Sequence, residues 1–296
     1  MIYCSYRRSV TDVCKGVTCI GSKLKGAWVG FDQPGTDPFD TFAQYAKMGY
    51  RAMDSDIAWI PGDKAENRRR FYDLGLICLC SWTPPMKKLA GDEAAMKAVI
   101  ENAHFYDIQN INIGWSSVID SFGEGYGHNG TYDSMMEDIE VMNALVGRLS
   151  AEGLTAQYHN HYQEFTVHYK GVSVMDYFLS MIDPALKVKL DVGWVYVGGL
   201  DPVEYMEKIK DRLGLLHVKD FTEQIKPRYL VNAQKDEDFG FTAVGTGKLD
   251  LKAILAKASE LGVEYAIVEQ DRMRNLSVSD SMLCAFLNMK ETGFLE

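Results

Sequence analysis

Short apolar segments alternate with longer amphipathic segments along most of the chain. The short segments have the length and flanking residues of buried strands, and the longer ones show the 3.6-residue period of helices. The pattern predicts eight strands, at Lys25–Asp32, Tyr50–Asp54, Leu76–Trp82, Ile108–Gly114, Thr155–His161, Lys187–Asp191, Leu215–Val218 and Tyr265–Glu269. It also predicts eight helices, at Pro38–Lys47, Asp63–Asp73, Asp92–Ala103, Ser134–Ser150, Val172–Ile182, Pro202–Arg212, Leu249–Leu261 and Val278–Met289.

Strands that alternate with helices imply a parallel sheet with right-handed crossovers. Eight such units form either a closed (β/α)8 TIM barrel or an open, doubly wound sheet. Polar or aromatic residues at or just past the predicted strand ends favour the barrel, because barrels gather their chemistry there. These residues are Asp32, Asp54, Trp82, Trp115, His159, Asp191, His217 and Glu269. No GxGxxG motif follows the first strand, which argues against a dinucleotide-binding sheet.

A length of 296 residues and a hydrophobic content of 47% suit one α/β domain. We expect a leader at residues 1–24, which could be an interface arm or cover the barrel bottom, and a barrel at residues 25–296. The long connection at residues 220–247 is interpreted as an active-site cover.

The formal net charge of −10 argues against nucleic acid as a partner. No apolar run reaches the length of a membrane span, and the charged N-terminal segment does not resemble a signal peptide. The six cysteines lack zinc-finger spacing, and we expect reduced, structural thiols in a cytoplasmic protein. Homo-oligomerisation stays open.

Three consecutive strands end in side chains that suit a divalent cation. Asp191, His217 and Glu269 supply two carboxylates and an imidazole, a ligand set for Mn²⁺, with Mg²⁺, Co²⁺ or Zn²⁺ as alternatives. The alternative is that the acids are helix caps or isolated ion-pair partners. Their position on adjacent strand ends favours a metal site.

The preceding strand ends in the densest polar cluster of the chain, Tyr158–Phe165. We expect only one of His159 and His161 to face the barrel axis. If His159 faces inward, it becomes the fourth metal ligand, whereas His161 and Glu164 lie in the following loop, within reach of substrate or metal.

At these residues the chain resembles the sugar phosphate isomerase/epimerase family, the xylose isomerase-like TIM barrels. The resemblance covers roughly residues 25–290 and rests on LDVGW, LHVKD, VGTGKLD and VEQD. It implies a metal bound by Glu, Asp, His and Glu, of which Asp191, His217 and Glu269 match the last three. The first ligand departs from the family pattern, so either His159 replaces the carboxylate or Glu164 reaches back, and we favour His159.

The resemblance implies a metal-dependent isomerase or epimerase that acts on a keto sugar or sugar derivative through an enediolate. Glu269 is the candidate base, and His161 or Glu164 is its partner on the other face. Lys219 either binds a hydroxyl or oxyanion or forms a surface salt bridge with Asp220. Candidate substrate contacts are Trp82, Trp115, Trp194 and Arg228, although barrel-rim packing would also explain the tryptophans.

Two other functions stay open. A lyase or dehydratase acting on an inosose or a 3-keto-glycoside would begin with the same proton abstraction and then expel a leaving group. A non-catalytic sugar-binding protein would contain no metal. A nuclease with three zinc ions is disfavoured by the acidic chain.

Overall fold

The computed structural model describes residues 22–30, 37–118, 130–223, 240–274 and 276–296. Several predicted features lie outside this part of the chain. They are most of the leader, the strand-end residue Asp32, and residues 224–239 of the long connection, which include the candidate contact Arg228. Eleven helices are described: α1 Pro38–Met48, α2 Lys64–Asp73, α3 Met86–Gly91, α4 Glu93–Phe105, α5 Tyr132–Ala151, α6 Gln163–Thr166, α7 Val174–Met181, α8 Val192–Val197, α9 Pro202–Lys208, α10 Leu251–Glu260 and α11 Val278–Glu291.

Nine parallel strands form one sheet that curves into a nearly closed barrel. They are β1 Lys25–Val29, β2 Ala52–Asp54, β3 Ile77–Cys78, β4 Cys80–Trp82, β5 Asn110–Asn112, β6 Thr155–His159, β9 Lys187–Asp191, β10 Leu213–Val218 and β13 Tyr265–Val268. Their order is β3-β2-β1-β13-β10-β9-β6-β5-β4. Two small antiparallel pairs complete the strands: β7 His168–Tyr169 with β8 Val172–Ser173, and β11 Asp220–Phe221 with β12 Phe241–Thr242.

The predicted TIM barrel is confirmed, and its third strand is divided in two at Leu79. β3 pairs with β2, and β4 pairs with β5, so the two halves occupy one position in the barrel. The backbone N–H of Leu79 still donates to Met53 O at 2.8 Å. All eight predicted strand positions therefore correspond to observed strands.

The local signals for helix ends also appear in the structure. The Asp37 carboxylate accepts the N–H of Phe39 at the start of α1, and Asp201 caps α9 in the same way. Gly49 ends α1 with φ +118, and a Cβ there would lie 2.2 Å from the Phe286 ring. Only glycine fits this turn, both for its backbone conformation and for its space.

The helices differ from the prediction at one start and by three additional short helices, α3, α6 and α8. The segment predicted as a helix from Val172 begins with β8, because the Ser173 side chain caps a helix that starts at Val174. Helix α8 was not predicted, since its sequence VGWVYV is apolar on nearly every side and shows no period.

Alternate strand residues divide the apolar side chains between two layers. The inner layer includes Ala27, Ala52, Leu215 and Ile267 and fills the barrel. The larger outer layer packs between the strands and the helices. Cys78 and Cys80 are buried in this architecture and unpaired with other described cysteines, as expected of structural thiols.

The two ends of the long connection are joined at its base. The Asp220 carboxylate accepts the backbone N–H groups of Gly245 at 3.0 Å and Gly247 at 2.8 Å. Thr222 N donates to Gly240 O at 2.8 Å. These contacts fix the connection beside the C-terminal end of β10. Among the described helices, none combines the length and apolarity that crossing a membrane requires.

Candidate metal centre and active site

Four buried side chains meet at the C-terminal end of the barrel. His159 ends β6, Asp191 ends β9, His217 lies on β10, and Glu269 follows β13. One potential ligand atom from each lies within 4.8 Å of the other three. Parallel strands bring these positions together because their C-terminal ends share one face of the barrel.

Asp191 combines a helix-capping role with an available ligand atom. Its Oδ1 accepts the N–H of Trp194 at 2.9 Å and so caps α8. Its Oδ2 accepts no hydrogen bond from the described residues, although the Lys219 ammonium lies 3.3 Å away. The Asn160 amide fixes the strand end, since its Oδ1 accepts from Asp191 N at 3.0 Å. The helix-cap alternative therefore accounts for only one of the two carboxylate oxygens.

His217 lies between two acids. Its Nδ1 is 2.7 Å from Glu269 Oε2, and its Nε2 is 2.6 Å from Asp54 Oδ2. Burial disfavours the charged ring, but Glu269 and Asp54 outweigh it and raise the pKa of His217 to about 9. A metal at Nδ1 would have to displace a proton at neutral pH.

Lys219 lies among three carboxylates. Its Nζ is 3.3 Å from Asp191 Oδ2, 3.3 Å from Glu269 Oε2 and 2.7 Å from Asp271 Oδ2. The alternative of a surface salt bridge to Asp220 is wrong, because Lys219 is only 1% exposed and pairs with these other acids. Lys219 lies two residues after His217, so both side chains point to the same side of the extended chain.

The two carboxylates of the cluster have different proton affinities. Burial alone would raise the pKa of Glu269, but Lys219 and His217 hold it well below its usual range. Burial, reinforced by the Glu269 charge, raises the pKa of Asp191 to about 7 despite Lys219. Glu269 is therefore the carboxylate of the two that stays ionised.

Both histidines of the polar cluster face the site, so the expectation that only one does so is wrong. The His159 ring lies 5.0 Å from the His161 ring and 4.6 Å from the His217 ring. Residues two apart in an extended chain share a face, and the chain turns only after His161. Burial lowers the pKa of His159 and brings that of His161 to about 3, with Lys219 contributing. Both rings are therefore neutral at physiological pH.

Glu164 points away from the four-residue cluster. Its Oε1 accepts the Tyr158 hydroxyl at 2.5 Å, and its Oε2 accepts the N–H of His161 at 2.9 Å. The Tyr158 ring packs 5.2 Å from Phe178 in the helix layer, on the opposite side of β6 from His159. Burial raises the pKa of Glu164 to about 7. The structure thus brings His159, and not Glu164, to the potential ligands.

Two of the three tryptophans predicted to contact substrate lie on either side of His161. The ring of Trp115 lies 5.9 Å from the His161 ring, and that of Trp194 lies 5.8 Å from it. Trp115 is half-buried, whereas Trp194 is buried beneath Lys219, whose Nζ lies 4.5 Å from its ring centre. Of these two tryptophans, Trp115 is therefore the one whose ring is partly exposed.

Asp54 and Lys189 form a buried ion pair below the cluster. Lys189 Nζ lies 2.9 Å from each carboxylate oxygen of Asp54, and both side chains are fully buried. The half-buried Trp82 contacts both partners and also lies near His159, at 6.1 Å between ring centres. Asp54 was among the predicted strand-end residues, whereas Lys189 was not predicted as part of the site. The available signal was spacing, since Lys189 precedes Asp191 by two residues and must share its inward face.

The residues present fit a divalent metal. Metal–ligand bonds of about 2.0–2.2 Å place ligand atoms roughly 3–4.4 Å apart, so a maximum separation of 4.8 Å requires only small shifts. Oxygen and imidazole donors suit Mn²⁺, Co²⁺ and Zn²⁺. Asp191 Oδ2, buried without a hydrogen bond from the described residues, is a further reason to place a cation here.

Solved structures share this fold across nearly the whole chain. A sugar phosphate isomerase/epimerase from Parabacteroides distasonis has a TM-score of 0.70 at 18% identity, and the alignment covers 98% of this chain and 100% of that one. A 3-keto-D-glucoside 4-epimerase from E. coli has a TM-score of 0.64 at 11% identity, over 91% and 100% of the two chains.

A probable 3-DHS dehydratase from Bacillus anthracis has a TM-score of 0.66 at 10% identity, over 90% of this chain and 99% of that one. No curated protein sequence matches the chain. The family model described as "Xylose isomerase-like TIM barrel" matches residues 42–283. The chain therefore belongs to the xylose isomerase-like TIM barrel family.

Proposed function

We propose that the protein is a metal-dependent isomerase or epimerase that acts on a keto sugar or sugar derivative. The observation that carries this proposal is the buried cluster of His159, Asp191, His217 and Glu269 at the C-terminal end of the barrel. These four side chains would hold one divalent ion, for which Mn²⁺ is our first choice. A bound ion would polarise a substrate carbonyl and an adjacent hydroxyl and so make the neighbouring C–H bond more acidic.

Glu269 would act as the base. Its carboxylate stays ionised because Lys219 and His217 hold its pKa well below the usual range. It accepts the proton from the carbon next to the carbonyl, and the electron pair moves onto the carbonyl oxygen. The buried Lys219 ammonium, 3.3 Å from Glu269 Oε2, donates a hydrogen bond to the oxygen that gains this charge.

His161, which is neutral at physiological pH, would be the proton acceptor on the second face of the substrate and a donor only after it has gained a proton. Its neutral ring is half-buried among Trp115, Trp194 and His159. Return of the proton to the former carbonyl carbon, while the adjacent hydroxyl loses its proton and becomes the new carbonyl, gives isomerisation. Return of the proton to the opposite face of the carbon that lost it gives epimerisation. Glu164 would act indirectly, since its carboxylate holds the His161 backbone.

The aromatic side chains near the cluster would bind the apolar face of a sugar. Trp115 and Trp82 are half-exposed, so each can offer part of a ring to a substrate. Trp194 is buried under Lys219 and instead supports the ammonium from below. Arg228 stays a predicted substrate contact in the long connection.

A lyase or dehydratase is the second candidate. The observation that favours it is the orientation of Glu164, which removes one carboxylate from the second face of the site. Elimination needs a base to remove the proton and an acid to protonate the leaving group. Glu269 would remove the proton and, once protonated, donate it to the leaving group, with the neutral His161 as the alternative base. One of the solved structures that share the fold is a probable 3-DHS dehydratase.

Metal analysis and product analysis test these proposals. Wild type purified with Mn²⁺ should contain about one ion per chain, whereas Asp191→Ala, His217→Ala and Glu269→Ala should contain much less. His104→Ala removes an exposed histidine of α4 and is the matched control. Equal metal content in all five proteins would refute the site.

Reactions of keto sugars in D₂O then separate the chemistries. Deuterium at a carbon next to the carbonyl, without loss of mass, indicates isomerisation or epimerisation. Loss of water or of an aglycone indicates a lyase. A non-catalytic sugar-binding protein would show neither exchange nor metal. A cytoplasmic location and the absence of nucleic-acid and membrane partners stay predictions, and homo-oligomerisation stays open.

A further inference from the structure

The buried lysine at the centre of the barrel has no part in the proposed chemistry. Lys189 lies on β9, two residues before Asp191, and its side chain is fully buried. An unpaired ammonium in this position would be strongly destabilising, and the Asp54 carboxylate compensates it with both oxygens at 2.9 Å. The pair joins β9 to β2 across the barrel.

The same carboxylate reaches the metal cluster through His217. Asp54 Oδ2 lies 2.6 Å from His217 Nε2, so this ring nitrogen already has a partner. The other nitrogen, Nδ1, then faces Glu269 at 2.7 Å and is the atom available to a metal. A histidine that binds a metal through one nitrogen generally donates from the other to a carboxylate or carbonyl, which fixes the ring orientation.

Trp82 fixes the ion pair from the side. Its indole N–H donates to the backbone oxygen of Asp54 at 2.7 Å. Its ring lies under the Lys189 ammonium, with Nζ 4.5 Å from the ring centre. Asp54 is thus held through its backbone by one partner and through its carboxylate by two others, which leaves its oxygens little freedom to move.

We propose that Lys189 is a positioning residue for the metal site: through Asp54 it sets the orientation in which His217 presents Nδ1 to the ion. This inference rests on the metal-dependent function proposed above. Without the ammonium, the carboxylate would lose the partner that engages both of its oxygens, and the His217 ring would lose a fixed acceptor. Mutation of a residue that supports a metal-binding histidine typically lowers metal affinity about 10–100-fold.

The test measures binding of Mn²⁺ alone to the chelator-treated full chain by titration calorimetry. The proteins are wild type, Lys189→Met, Lys189→Gln and the matched control Lys187→Met. Lys187 lies on the same strand, is partly exposed and donates to Asp211 O at 2.8 Å. Lys189→Met should bind Mn²⁺ at least tenfold more weakly, and Lys189→Gln should lie between it and wild type because an amide still donates to Asp54. Lys187→Met should match wild type.

A second readout separates positioning from general loss of structure. The visible absorption spectrum of bound Co²⁺ reports ligand geometry, and we expect it to change in Lys189→Met at saturating Co²⁺ while the far-UV circular dichroism stays that of wild type. If Lys189→Met does not fold, Lys189→Gln carries the same test. Affinity and spectrum equal to wild type in the folded variants would overturn the role of Lys189 alone. Failure of wild type to bind either ion would overturn the proposed function as well.

Discussion

Replacement of Lys219 by methionine should destabilise the metal-free protein and make its stability strongly dependent on metal. The side chain is 1% exposed and its ammonium lies within 3.3 Å of Asp191, Glu269 and Asp271. Methionine fills similar space but leaves these carboxylates without their shared cation. Removal of one partner from a buried ion pair costs about 3–5 kcal/mol of unfolding free energy.

The loss can be expressed as a change in melting temperature. An unfolding entropy of about 2.1 cal/mol/K per residue gives about 0.6 kcal/mol/K for a chain of 296 residues. A loss of about 3–5 kcal/mol therefore lowers the melting temperature by about 5–8 °C. A divalent ion can take over the compensation of Asp191 and Glu269, so excess Mn²⁺ should recover most of this loss. The same variant should bind Mn²⁺ more tightly than wild type, because a neighbouring positive charge has been removed.

Differential scanning calorimetry of chelator-treated protein, with and without Mn²⁺, measures both effects. Lys97→Met is the matched control, since Lys97 makes an exposed pair with Glu101 at 3.6 Å and its loss should cost less than about 1 kcal/mol. The reasoning is refuted if the metal-free Lys219→Met variant melts with wild type, or if Mn²⁺ stabilises the two proteins equally.

Three further predictions concern the proton chemistry of the site. The pKa of His217 is raised to about 9, so below that pH a metal must displace the proton of this ring in order to bind. The affinity for Mn²⁺ should therefore rise up to about tenfold per pH unit between pH 6.5 and 8.5. Equal calorimetric affinities at pH 6.5 and pH 8.5 would contradict this. Glu269→Gln should lower turnover about 10²–10⁴-fold while the amide oxygen keeps much of the bound metal; unchanged deuterium exchange in D₂O would remove Glu269 from the role of base. Burial raises the pKa of Glu164 to about 7, so the folded state retains a proton that the unfolded state releases, and stability falls as the pH rises from about 4.5 to 7. Glu164→Gln cannot titrate, so its melting temperature should fall less than that of wild type between pH 5 and 7, and parallel curves would show that this carboxyl contributes nothing.

The sequence pattern was sufficient for the barrel because helices between the strands carried their own start and stop signals. Asp37 and Asp201 start helices, and glycines such as Gly49 end them. The division of the third strand at Leu79 left no such signal, since it depends on which neighbour each half pairs with. Helix α8 was missed because a fully buried helix has no polar face to reveal its period.

The site was predictable where strand ends and side-chain spacing decide it. Asp191, His217 and Glu269 lie together because three parallel strands end side by side. The expectation for His159 and His161 failed because residues two apart share a face. Lys189 could have been found by that same spacing, but its partner Asp54 comes from the opposite side of the barrel, and only the folded chain brings the two together.

The contacts at the base of the long connection have a consequence for exchanging the segment between them. Asp220 binds Gly245 and Gly247, and Thr222 binds Gly240, so both ends of the intervening segment are anchored independently of the residues between them. Long insertions between fixed ends cost little additional closure entropy. We therefore expect that residues 224–239 can be replaced by the corresponding segment of another family member, while Lys219 and His217 keep their places on the barrel. Such an exchange would test the proposed substrate contact in this segment separately from the proposed metal site.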